Sequence, residues 1–176
     1  METAIVSVIC IALIVLGGMT MSEGFLTSID TTSMGLEEMG DRDGDILRTE
    51  LSPLDGSWQS LTNTLEVSLG NSGQVKLASF ANWDVIVQFY DADSNHHVQW
   101  LPYTDGELGD NQWRKKGIYI DAANETPEAF DTGILDPGEE MVIEVKLDPL
   151  VGQDTTNLVV VSTPNGVPAR VSFEGP

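Results

Sequence analysis

The sequence predicts an α+β chain in which one long N-terminal hydrophobic α-helix runs into an antiparallel β-sandwich. Three observations carry this expectation. Residues 3–22 (TAIVSVICIALIVLGGMTMS) hold no charged side chain and are rich in Ile, Val and Leu. Residues 19–51 continue with apolar side chains mostly three, four or seven apart. From residue 54 onward the chain breaks into short apolar–polar alternating runs, punctuated by Gly, Pro and Asn.

The first run sets the scale. At a rise of about 1.5 Å per residue, its twenty residues span roughly the 30 Å hydrocarbon core of a bilayer. A cleaved secretory signal is a poor match, because such signals begin with basic residues and the first basic residue here is Arg42. A plain membrane anchor lacks the flanking Lys and Arg that fix topology. A helix that waits in the membrane and then packs against copies of itself fits better, with a short basic leader already removed. Such a core buries the helix all round and needs an apolar surface all round. Ala4, Ile5, Val8, Ile9, Ala12, Leu13 and Leu16 are the expected assembly residues. Ser7, Gly17 and Gly18 join Ala4 and Ala12 in allowing close backbone approach. Cys10 is the only cysteine; it permits no intrachain disulfide and reads as a small hydrophobe.

Beyond Met19, apolar positions at Phe25, Leu26, Ile29, Leu36, Met39, Ile46, Leu47 and Leu51 keep a helical rhythm. Gly35, Gly40 and Gly44 each cost a helix about 1 kcal/mol relative to Ala. Pro53 pushes Ser52 out of helical geometry, so the helix is expected to end there. The division is therefore residues 1–52 as an assembly helix and 53–176 as an outer β domain. Asp41-Arg42-Asp43-Gly44-Asp45 resembles the start of a calcium loop. Ile46 and Ser52 occupy the positions that need Gly and Glu, so it reads as a solvated helix face.

In the second part, strands are expected near 62–69, 74–79, 84–90, 97–101, 117–120, 141–147, 157–162 and 169–173. Turns are spelled by Gly70-Asn71-Ser72-Gly73, Asp136-Pro137-Gly138 and Pro164-Asn165-Gly166. Eight short strands in about 120 residues indicate an immunoglobulin-like sandwich or a small barrel. Trp58, Trp83, Trp100 and Trp113 read as core and rim packing rather than as a carbohydrate platform, because their spacing is irregular.

Charge excludes one class of partner. The chain carries 28 Asp and Glu against 8 Lys and Arg, a formal net charge of -20. Nucleic acid requires a basic footprint that is missing here. The only basic cluster, Arg114-Lys115-Lys116, could meet acids of a neighbouring subunit or lie in a solvated loop. Asp91, Asp93 and Asn95 form an alternating oxygen-ligand loop for which calcium is the candidate cation; a polar hairpin loop explains the same residues. His96 and His97 are adjacent and point to opposite faces of a strand, so they do not share a site. Asn124-Glu125-Thr126 is a glycosylation sequon. No nucleophile motif, phosphate loop or zinc-protease motif is spelled, so the chain does not read as an enzyme and no cofactor is expected.

An uncharged N-terminal helix running into a β domain resembles the archaellin group, the archaeal flagellins and their accessory proteins of type IV pilin-like origin. Residues 134–149 (ILDPGEEMVIEVKLDP) and 161–173 (VSTPNGVPARVSF) look like the Pro-Gly-Glu strand and the terminal hairpin of that group. The chain departs from it at its start, Met1-Glu2-Thr3, where mature archaellins are Gly-rich. Ile5 stands where type IV pilins carry a glutamate. The resemblance implies a prepilin-type peptidase and a platform and ATPase as assembly partners. The expected function is a structural subunit of an extracellular archaellum-like filament, a homo-oligomer inserted in the membrane before assembly. The alternatives are a membrane-anchored accessory or stator protein of the same machinery, and an anchored carbohydrate-binding module.

Overall fold

The structure is a computed structural model that describes residues 2–128 and 130–176, with side chains described from Ile5 onward. It is α+β, as the sequence predicts. Helix α1 spans Glu2–Arg48. Among the described residues nine strands follow: β1 Leu51–Gln59, β2 Thr64–Asn71, β3 Asp84–Tyr90, β4 His96–Leu101, β5 Gln112–Asp121, β6 Thr126–Pro127, β7 Glu140–Lys146, β8 Thr156–Ser162 and β9 Pro168–Glu174. The chain divides into two compact units, Met1–Gly44 and Asp45–Pro176.

In the first unit the helix is exposed around its whole circumference. From Ile5 to Leu16 every side chain faces outward, Cys10 included. Ala4 is helical, but its side chain lies outside those described. The glycines interrupt nothing, because Gly17, Gly18, Gly24, Gly35 and Gly40 all sit within the continuous helix. At about 1.5 Å per residue, the 47-residue helix measures roughly 70 Å.

The helix ends at Arg48, three residues before Leu51, the last helical position that Pro53 allows. Thr49 closes it by donating its backbone N–H and its hydroxyl to the Asp45 carbonyl. The chain then joins the sheet region at once. The Glu50 carbonyl accepts from Ser72 and Gly73, and the Arg48 carbonyl accepts from Gln74. A Cβ at Gly73 would stand 2.5 Å from the Arg48 oxygen, so only glycine fits this crossing. Asn165, in the turn between β8 and β9, donates its side-chain amide to the Thr49 hydroxyl at 2.8 Å. The last helical turn therefore belongs to the sandwich.

Two antiparallel sheets form that sandwich, in the orders β1-β2-β7-β5-β6 and β4-β3-β8-β9. Alternation decides which side chains enter. In β2, Leu65, Val67 and Leu69 are fully buried; Val85, Val87 and Phe89 of β3 meet them from the facing sheet. Met141, Ile143 and Val145 of β7, Val159 and Val161 of β8, and Val171 and Phe173 of β9 complete the layer. Trp113 is the largest wholly buried side chain, and Tyr103 meets its ring edge-on at 4.8 Å. Gly138 and Gly166 take positive φ values of 88° and 86° in the two Pro-containing turns, geometry that favours a residue without Cβ.

Strand β1 was not expected. It holds Pro53 and Gly56, which discourage a strand assignment, yet it runs along the edge of its sheet with a register shift between Pro53 and Asp55. An edge tolerates a missing N–H where an interior strand does not. Gly56 is also required for packing, since a Cβ there would lie 2.7 Å from Val171 of β9. The expected strand at 74–79 is reduced to one bridge, Leu77 to Leu135. Its surroundings are organised by buried Asn71, whose amide donates to the Val75 and Leu135 carbonyls while its oxygen accepts from Gly73.

Candidate functional site

Three regions have the chemistry of a functional surface: the helix, the β3–β4 hairpin and the outer faces of the two sheets. The helix is the plainest. It is long and apolar enough to cross a membrane, and the apolar part of its sequence is entirely exposed. Each exposed Ile, Val or Leu costs free energy in water, at about 25 cal/mol per Å² of apolar surface. Such a surface needs lipid or protein around it.

The Asp91 loop is held together by hydrogen bonds to one carboxylate. One carboxylate oxygen of Asp91 accepts from the backbone N–H groups of Asp93 at 2.9 Å and Asn95 at 2.8 Å. The Asn95 side-chain amide reaches both oxygens, and His97 Nε2 meets the second oxygen at 2.8 Å. These contacts, led by His97, hold the Asp91 carboxyl well below its usual value. The arrangement accounts for the loop as a hairpin clasp. Among the described residues no group of three His, Cys, Asp or Glu is placed to hold a metal ion. His97 is the partner that sequence reasoning passed over, since its link to Asp91 depends on the hairpin register. His96 leaves the opposite way and lies 5.0 Å from the Tyr90 ring.

The basic cluster is consumed within the chain. Arg114 pairs with Glu144 at 2.6 Å, and Lys116 with Glu66 at 2.5 Å. Lys115 donates to the Thr132 carbonyl and stands over the Phe80 ring. These pairs pave the outer face of the five-stranded sheet, where an open groove of about 440 Å³ is lined by Asp55, Glu66, Lys116, Tyr119, Asp121 and Glu140 among others. Asn124 lies in the exposed turn after β5, and its side-chain amide donates to Asp121 at 2.7 Å.

The outer face of the four-stranded sheet is of another kind. Trp100 and Val98 of β4 are 59 % and 58 % exposed, and Tyr90 of β3 is 43 % exposed. Ile86, Leu158 and Val160 lie half-buried beside them. The tryptophans thus divide: Trp83 and Trp113 are buried, Trp58 is partly buried against the core, and Trp100 is outside.

Comparison with known proteins bears on the fold. No family model matches the chain, and no curated protein matches its sequence. Among solved structures, it is similar to the archaellum periplasmic stator protein FlaG from Sulfolobus acidocaldarius. The two share 20 % identity with a TM-score of 0.52, over 71 % of this chain and 99 % of that one. It is similar also to a chain of the complex of FlaF and FlaG from the same organism, at 19 % identity and a TM-score of 0.52, over 71 % and 89 %. The shared feature is the β-sandwich fold.

Proposed function

We propose that this chain is a membrane-anchored accessory protein of an archaellum-type motility machinery, with a stator-like role. The helix is the anchor and the sandwich is the envelope-facing part that grips a partner. The observation that carries this reading is the sandwich likeness to a protein described as a periplasmic stator, whose length is covered almost entirely. The exposed apolar helix supports anchoring, since it is long enough to span a bilayer. The role is mechanical: a sheet-on-sheet core held by Phe89, Trp113 and Ile143 transmits load without needing a reaction centre. A partner from the same machinery is expected, in keeping with the solved complex of the two stator proteins.

The filament-subunit reading suggested by the sequence has the all-round apolar helix in its favour, but the solved neighbours are described as stator parts and not as filament subunits. Membrane fractionation tests the anchored reading. The chain should stay in carbonate-washed membranes, with its sandwich digested by protease only from outside the cell. Recovery in the soluble fraction, or protection of the sandwich in intact cells, would contradict it.

A further inference from the structure

The outer face of the four-stranded sheet forms a grid that can be read from its strand registers. One row runs Trp100, Ile86, Val160, Arg170 across β4, β3, β8 and β9. The next runs Val98, Gln88, Leu158, Ser172. In the third, His96 pairs with Tyr90 on one side and Thr156 with Glu174 on the other. The centre is apolar and its rings are held in place. Trp100 donates its indole N–H to Asp84 at 2.9 Å, and Tyr90 leans on His96. On a chain of net charge -20, the centre of this face, from Trp100 and Val98 to Leu158 and Val160, carries no charge.

Arg170 says what covers it. The sandwich has seven Lys and Arg, and six are engaged: Arg48 with Asp45, Lys76 with Asp131 and Asp136, Arg114 with Glu144, Lys116 with Glu66, Lys146 with Asp110, and Lys115 with Thr132 and Phe80. Among the described residues of this unit, Arg170 alone is an exposed cation with no partner in its own chain. Four residues along the same strand, on the same face, stands exposed Glu174. A two-fold axis lying between two such faces, across the strands, brings the first row of one copy over the third row of the other. Arg170 then meets the partner's Glu174, Ile86 meets the partner's Tyr90, and the middle row meets itself. Both charges and the apolar centre are self-complementary, as an isologous contact requires.

We infer that this face is a homodimer interface, pairing two copies of the chain through Arg170–Glu174 contacts around the Trp100, Val98, Ile86 and Leu158 centre. Four strands about 4.8 Å apart and about 20 Å of strand length give roughly 400 Å² per copy. The pair buries about 800 Å², below the standard interface of about 1,200–2,000 Å². The dimer is therefore weak in solution, and tethering both helices in one membrane would raise its occupancy through effective concentration. This inference stands on the sandwich and does not depend on the machinery to which the chain belongs.

Sedimentation equilibrium of the full chain in density-matched detergent tests it, up to about 1 mM protein in ~0.15 M salt, where screening acts beyond about 8 Å. The unsubstituted chain should dimerise with a micromolar to sub-millimolar dissociation constant. Val98→Lys should remove the dimer. Arg170→Glu places like charges at both ends of the interface and should weaken it about tenfold. Arg170→Glu combined with Glu174→Arg should restore the original affinity to within about threefold, since the two-fold exchanges the two positions. A chain monomeric throughout, a dimer indifferent to Val98→Lys and Arg170→Glu (association through the helix), or failure of the double variant to recover would each overturn the inference.

Discussion

Glu128 shows at a single residue how burial acts on charge in this chain. It is buried, and neither carboxylate oxygen has a hydrogen-bond partner. Burial, then the charges of Glu139, Asp136 and Asp131, push its carboxyl above the usual value of 4.5, while Lys115 opposes them. The folded state thus holds this proton more tightly than the unfolded chain does. Its contribution to stability is complete below the usual value and falls away as pH rises through the raised one. Glu128→Gln keeps the shape without the charge, so it should raise the melting temperature at pH 7 and have no effect below pH 4. A thermal melt series across that range reads the difference, and equal melting temperatures at pH 7 would refute it. Asp91 titrates in the opposite sense. Its lowered carboxyl stabilises the hairpin above the usual 3.8, and that contribution is lost as the pH falls below it.

At the scale of elements, the helix and the strands were legible to different degrees. Strands with both alternation and a buried face, such as β3 (DVIVQFY) and β7 (EMVIEVK), are readable because every second side chain must enter the core. Strand β1 (LSPLDGSWQ) hides because its assignment depends on edge position, which only the assembled sheet defines. The clasp of His97 on Asp91 and the grid around Trp100 are products of register for the same reason. The helix was readable from composition, and its energetics can be tested. Between residues 5 and 16 lie nine Ile, Val and Leu. At about −0.3 to −0.6 kcal/mol each, they favour insertion by about 3–5 kcal/mol, while one central Asp costs about 2.5–3.5 kcal/mol. Ala12→Asp alone should leave much of the chain membrane-bound, whereas Ile9→Asp with Leu13→Asp should release it. Carbonate extraction measures both. Release by the single change, or retention of the double variant, would show that the run is not an autonomous anchor. A filament core, which has no water to hydrate the charge, would instead lose assembly with Ala12→Asp alone.

For the whole molecule, the division of labour follows from surface chemistry. The helix offers a surface that lipid or protein must cover, the core keeps the sandwich rigid, and the two outer faces differ. The five-stranded sheet presents paired charges around an acidic groove, and the four-stranded sheet presents an apolar grid bordered by exposed Arg170 and Glu174. A filament subunit and an anchored accessory protein can share all of these parts, but they differ in copy number and in where the chain resides. The decisive measurement is quantitative mass spectrometry of sheared filaments and of the washed membranes left behind, taken from the same cells. An anchored accessory protein should remain with the membranes and be scarce in the fibres relative to their main subunit. A chain that dominates the fibres would contradict the anchored stator-like role.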